Sequence, residues 1–202
     1  MFDRYLHPLT GRFADRLAPF FAQRGISADQ LSVLGLMTGF AALPLLAFEH
    51  YAWALVAFLS NRVIDALDGA VARLSGPTDR GAFLDIALDF FVYGAVPMGF
   101  ALAQPERNAL SSAVLLFSFI GTGSSFLGLA VFAQRRGISA PQFPRKGLYF
   151  IGGFAEGFET IVCFVLMCLF PGQYTTFAWI FAVLCFATTL MRWWWGYRLL
   201  SL

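Results

Sequence analysis

Asp65-Ala66-Leu67-Asp68-Gly69-Ala70-Val71-Ala72-Arg73, followed after seven residues by Gly81-Ala82-Phe83-Leu84-Asp85-Ile86-Ala87-Leu88-Asp89, places four carboxylates inside an otherwise apolar part of the chain. An ionised carboxylate at membrane depth is costly unless something of opposite charge compensates it, so four of them in one region require a counter-charge. A pair of divalent metal ions is the economical one.

The surroundings make the membrane setting hard to avoid. The 202 residues are 58% hydrophobic and 13% charged, with a mean hydropathy of +0.68, which is too apolar for a soluble globule of this length to bury. A helix needs about 20 apolar residues to cross a bilayer. Runs of that kind fall at roughly 31–48, 51–72, 82–104, 110–132, 150–170 and 175–192. They do not alternate apolar with polar residues as barrel strands do, which favours a helical bundle over a transmembrane barrel. The fold expected is an all-α membrane protein, with six transmembrane helices over 26–202 preceded by an amphipathic interfacial helix over 1–25, in one domain spanning 1–202.

The cations orient this bundle. With the amino terminus inside, Arg4, Arg12, Arg16, Arg24, Arg73, Arg80, Arg135, Arg136, Arg145, Lys146, Arg192 and Arg198 all fall on the cytoplasmic side, Arg107 falls outside and Arg62 lies within a span. Both termini and the site are therefore expected to be cytoplasmic. The opening stretch is charged throughout and lacks a short apolar core followed by small residues, so no cleavable signal is expected. The net charge of +2 follows from this bias; no basic cluster is interleaved with aromatics, so no nucleic-acid partner is expected. Cys163, Cys168 and Cys185 lack metal-ligand spacing and read as small apolar packing residues. His7 and His50 fall at membrane edges, away from the acids.

Residues 2–24 mix apolar and charged positions at helical period, with Pro8 and Pro19 expected to limit the continuity of the helix. Ile26-Ser27-Ala28-Asp29-Gln30 is a helix-start signature, with Ser27 as cap and Gln30 three residues on. Gly35 and Gly39, like Gly153 and Gly157, stand at the interval that lets helix backbones approach closely. No internal repeat of the inverted-transporter kind is visible.

On helices, Asp65 and Asp68 share one side, and so do Asp85 and Asp89. Leu74-Ser75-Gly76-Pro77-Thr78-Asp79-Arg80 reads as a tight turn between the two spans. The two spans become antiparallel neighbours and the acids converge a turn or two below the surface. Hard oxygen ligands without nearby histidine or cysteine favour magnesium, with manganese or calcium as alternatives. Two such ions roughly 3.5–4 Å apart clamp a phosphoryl group in an in-line displacement. Gly69 and Ala72 leave room for a bulky ligand beside them, and Arg73 offers a planar donor fork to phosphate oxygens.

The segment from Asp65 to Asp89 resembles the signature of the CDP-alcohol phosphotransferase (CDP-alcohol phosphatidyltransferase) family, D-x2-D-G-x2-A-R-x8-G-x3-D-x3-D, with seven residues here in place of eight between Arg73 and Gly81. The spans, the amino-terminal helix and the I-S-A-D-Q-L-S entry resemble the family over most of the chain. The resemblance implies that Asp65, Asp68 and Asp85 bind two metal ions, Mg2+ or Mn2+, and that Asp89 binds one of them and takes the proton from the attacking hydroxyl. It implies that Gly69, Ala72, Arg73, Thr78 and Gly81 belong to the site of the CDP part of the donor, with Asp29 and Ser32 near the nucleotide. A homodimer is a family expectation.

The activity expected is transfer of a phosphatidyl or related phospho-alcohol group from a CDP-linked lipid donor, with CDP-diacylglycerol favoured, to a small alcohol or phospho-alcohol acceptor, releasing CMP in phospholipid biosynthesis. The donor's tails stay among membrane lipids. Arg135, Arg136, Arg145, Lys146 and Arg192 gather at expected cytoplasmic helix ends, which slightly favours a phosphorylated polyol as acceptor, although positive-inside topology explains them equally. Glu156 and Glu159 are candidates for acceptor binding or for pairing with Arg62 or another cation, and Arg62 is expected to balance the acids. Tyr149, Trp179, Trp193, Trp194, Trp195 and Tyr197 read mainly as interfacial anchors. The rival reading is a divalent-metal or proton-coupled transporter, for which the G-x-x-A-R portion has no evident use.

Overall fold

Ser27 starts the first long apolar helix as its sequence predicts. Its hydroxyl accepts from the Gln30 amide at 3.3 Å, and the Gln30 side chain accepts from the Ser27 amide at 3.0 Å, so two otherwise orphaned donors are satisfied reciprocally. The computed structural model describes residues 3–137 and 153–201, with side chains described from residue 13. The described elements are α1 (Asp3–Gln23), α2 (Ala28–Phe40), α3 (Ala42–Ala47), α4 (Tyr51–Ser75), α5 (Asp79–Ala103), α6 (Pro105–Arg135), α7 (Gly157–Leu169), a 3-10 turn at Pro171–Gln173 and α8 (Tyr174–Ser201). No strand occurs among the described residues.

The bounds depart from expectation where proline and packing intervene. The run 31–48 is not one helix: α2 and α3 part at Ala41, because Pro44 has no N–H to give the Phe40 carbonyl. Conversely, α1 continues through Pro8 and Pro19. Its Ala14 and Ala18 are buried against Leu31, Leu67, Ala70 and Val71, and this packed face holds the helix despite the lost bonds. In α7 the described helix covers only Gly157–Leu169, 13 residues of the expected 150–170; residues 150–152, Arg145, Lys146 and Tyr149 lie outside the described residues, and so do the side chains of Arg4, His7 and Arg12. The last helix runs nine residues past Arg192 to Ser201.

Four stretches are long and apolar enough to cross a membrane: Ala28–Ala47, Asp79–Ala103, Pro105–Arg135 and Pro171–Ser201. The chain is thus an all-helical, multi-pass membrane protein. The 25 residues of α4 match a span in length but carry Arg62, Asp65, Asp68 and Arg73, and α7 is apolar but only 13 residues long, so charge sets the first apart from the four and length the second. A core of aromatic and small side chains ties the helices together, with Phe58 of α4, Phe100 of α5, Phe164 of α7 and Tyr174 of α8 fully enclosed.

The arrangement of α2, α4 and α5 positions the acids. A side chain on Gly39 would place its Cβ 2.8 Å from both Asn61 Cγ and Val92 Cγ1, so α2 presses directly on α4 and α5 at that point. The link from α4 to α5 is as tight as expected: α4 stops at Ser75, Gly76 takes φ +90°, and Thr78 caps α5 by accepting from the Gly81 amide at 3.1 Å. Only glycine tolerates that φ without strain.

Candidate active site

Asp68 lies seven residues before the end of α4 and Asp85 six after the start of α5. At 1.5 Å per residue, each is roughly two turns in from the connecting turn. One carboxylate oxygen from each of Asp65, Asp68 and Asp85 lies within 4.8 Å of the others. The three differ in exposure: Asp85 is exposed, Asp65 half-buried, and Asp68 only 5% exposed. Asp89 joins them in lining one recess, together with Ser32, Gly35, Asn61 and Leu88.

Two neighbours orient these acids. The Ser32 hydroxyl of α2 donates to Asp68 Oδ2 at 2.6 Å. Arg62, one turn before Asp65, donates from Nη2 to Asp89 Oδ1 at 2.7 Å, and its Nη1 lies 3.7 Å from Asp65 Oδ2. The same guanidinium donates to the Tyr93 hydroxyl at 3.0 Å and, through Nε, to Asn61 Oδ1 at 2.8 Å. Asn61 is itself anchored to α2 through the Gly35 carbonyl at 2.8 Å. A charge this well held inside an apolar bundle explains how two of the acids are tolerated there.

The donor set suits a hard divalent cation. It consists of carboxylate oxygens from two facing helices with no imidazole or thiolate beside them, and such ligands favour magnesium, manganese or calcium. Four carboxylates against one guanidinium leave three net negative charges to be balanced.

The remaining sequence candidates are spread over the turn end of the same helices. Gly69 leaves open space whose nearest side-chain atom is Arg73 Nη1, at 3.5 Å from a hypothetical Cβ. Ala72 is half-buried on the same helix. Arg73 is exposed and pairs with Asp15 of α1, Nη2 to Oδ1 at 2.7 Å. Thr78 caps α5, and a Cβ on Gly81 would lie 3.2 Å from its hydroxyl oxygen and 3.6 Å from Asp29 Oδ1. Asp29 also meets Arg80, at 3.2 Å. Ser32, considered from the sequence with the nucleotide, faces Asp68 and lines the recess.

Two expectations change. Arg192 is not at a helix end: it is 7% exposed, donates to the Thr122 carbonyl of α6 at 3.1 Å, and lies 5.8 Å from the Phe126 ring. Its helix continues beyond it, which hydropathy alone did not reveal. Glu156 and Glu159 do not sit inside a long span but form a capping box that starts α7, Glu159 accepting from the Glu156 amide at 3.2 Å. Arg62 pairs with the aspartates, as expected. The anchoring role of Asn61 and Tyr93 was missed by sequence reasoning; the only available signal was two polar groups within a turn of a charged residue in a span.

The sequence profile of the CDP-alcohol phosphatidyltransferase family matches residues 26–199. The inner membrane protein YnjF of Escherichia coli K12 is 50% identical over 201 residues, covering all of this chain and 98% of that protein. The phosphatidylinositol phosphate synthase of Streptomyces avermitilis is 35% identical over 121 residues, which is 58% of this chain and 50% of that enzyme. Among solved structures, the Mycobacterium tuberculosis phosphatidylinositol phosphate synthase with CDP-DAG bound superposes with a TM-score of 0.71 at 23% identity, covering 90% of this chain and 92% of that one. The same enzyme in complex with manganese and citrate gives 0.73 at 22% identity, covering 91% and 88%. At these identities the structural likeness shows the fold.

Proposed function

We propose, for a chain that belongs to the CDP-alcohol phosphatidyltransferase family and is therefore a transferase of phospholipid biosynthesis, that the recess between α4 and α5 is its active site. There a phosphatidyl group passes from CDP-diacylglycerol to an alcohol, and CMP leaves. The observation that carries this reading is the meeting of Asp65, Asp68 and Asp85 within 4.8 Å, with Asp89 lining the same recess.

Asp65, Asp68 and Asp85 would hold divalent cations, two Mg2+ or Mn2+ ions, with Asp89 beside them and near the acceptor. Ions held there supply charge for the diphosphate and for the oxygens that attack and leave. Asp89 accepts the proton of the acceptor hydroxyl, a task that needs reach more than basicity. Ser32 keeps Asp68 aimed into the recess. Gly69 and Ala72 give the cytidine space against α4, with Gly81 and Thr78 at the neighbouring helix start, and Arg73 exchanges Asp15 for a phosphate oxygen. That exchange is inexpensive because an exposed pair contributes little.

The bundle as read here has six membrane helices, α4 and α7 included, with α1 at the interface and the site facing the cytoplasm, so the donor's tails remain in lipid while its head enters the recess. A phosphorylated polyol is the preferred acceptor. The relatives named phosphatidylinositol phosphate synthase and, in Pyrococcus horikoshii, archaetidylinositol phosphate synthase support it, as does the cationic set at the end of α6, Arg135 and Arg136. Purified protein should release CMP from CDP-diacylglycerol with Mg2+ and a panel containing glycerol phosphate, inositol phosphate, inositol and serine, with inositol phosphate or glycerol phosphate fastest, and EDTA should stop it. Absence of CMP release with every acceptor, in Mg2+ and in Mn2+, would defeat the reading.

A further inference from the structure

Behind the four acids of the recess stands Arg62, paired with Asp89 and Asp65, a cation that the chemistry of four acids and metal ions does not itself require. It is nonetheless firmly held, with the side chain 9% exposed, Asp89 and Tyr93 of α5 as partners and its own neighbour Asn61 as a third. Its Nη2 covers Asp89 Oδ1 at 2.7 Å, whereas the three carboxylates that converge on one point are Asp65, Asp68 and Asp85. A cation held against Asp89 repels a second cation that approaches the same oxygen.

We propose that Arg62 is a built-in cation that closes the Asp89 side of the site in the substrate-free enzyme, so that the first metal ion is held by Asp65, Asp68 and Asp85 alone and the second enters only with the CDP-linked donor. This rests on the reading of the recess as a metal-dependent transferase site. The charges support the order. One guanidinium and one divalent ion leave the four carboxylates with one net negative charge, close to balance, and a second ion adds an excess that only the incoming diphosphate offsets. The side chain is also built to let go of Asp89 without leaving. Its bonds to Tyr93 and Asn61 involve no acid, its guanidinium carbon lies 5.0 Å from the Tyr93 ring, and Asn61 is tied to the Gly35 carbonyl. Arg62 thus acts through Asp89 as a positioning residue, keeping the proton acceptor occupied until both substrate charge and second ion are present.

Binding stoichiometry tests this without turnover. The full-length protein in detergent is titrated with Mn2+ and free Mn2+ is read by room-temperature electron paramagnetic resonance, with and without CDP-diacylglycerol in mixed micelles. Wild type should bind one ion alone and two with the donor. Arg62→Gln should bind two ions without donor, a doubling, and Arg62→Lys should restore one, an outcome that a merely structural role does not produce. Two ions in donor-free wild type, one ion in Arg62→Gln, or no gain on adding donor to wild type would each overturn the proposal while leaving the metal site standing. No ion bound to wild type under either condition would defeat the metal site as well. Should Arg62→Gln fail to yield monodisperse protein, Arg62→Met takes its place, and one ion in donor-free Arg62→Met would overturn the proposal.

Discussion

Replacing Ser32 by alanine removes one hydroxyl from the site and nothing else. That hydroxyl lies 2.6 Å from Asp68 Oδ2, within the range of a charge-assisted O–H···O⁻ bond. Asp68 is 5% exposed, so water does not easily replace the lost donor. A hydrogen bond to a charged group contributes about 1.5–3 kcal/mol, and at about 1.4 kcal/mol per tenfold this is roughly a 10- to 150-fold change. Outer partners of metal ligands lie independently in the region of 10- to 100-fold when removed. The assay is CMP release from CDP-diacylglycerol across a Mg2+ series. Ser32→Ala should raise the half-saturating Mg2+ concentration by about 10- to 100-fold, with kcat approaching wild type at high Mg2+. Ser32→Thr, which keeps a hydroxyl, should fall between the two. An unchanged Mg2+ dependence would refute the claim that Ser32 orients a metal ligand. An equal loss at every Mg2+ concentration would refute it too, and would return Ser32 to substrate contact.

Asp89→Asn should lower kcat about 100-fold or more while circular dichroism and elution volume stay unchanged, since the amide still accepts from Arg62. Gly39→Ala should cost about 1–3 kcal/mol through overpacking, seen as a lower Tm, because its Cβ meets Asn61 Cγ and Val92 Cγ1 at 2.8 Å. Gly69→Ala meets only Arg73 Nη1, at 3.5 Å; it should leave Tm unchanged or raised and instead raise KM for the CDP-linked donor, and a lowered Tm with unchanged KM would argue against a nucleotide beside Gly69. Glu156→Ala should lower stability by about 1 kcal/mol through loss of the α7 cap, with KM for the acceptor unaltered if capping is its whole role.

The sequence by itself determined that this is a helical membrane protein, that four aspartates share the neighbouring sides of two helices, and that a Gly-Pro turn joins those helices. Each follows from local physics: apolar run length, the i, i+3 and i, i+4 spacing on a helix, and the φ that Gly76 must adopt. The Ser27 and Gln30 cap was legible for the same reason, since all of its atoms lie within one turn. Only the tertiary structure decided what stands opposite the acids. Ser32 and Asp68 are 36 residues apart, and Arg62 and Asp89 are 27 apart. No periodicity predicts which hydroxyl or guanidinium a carboxylate meets across a helix interface, because that depends on how closely α2, α4 and α5 approach, and glycines such as Gly39 set that approach. The extent of α8 and the break at Ala41 were hidden for a related reason. Hydropathy reports the solvent around a helix, whereas its ends are set by caps, prolines and the packing of buried polar groups such as Arg192 against α6.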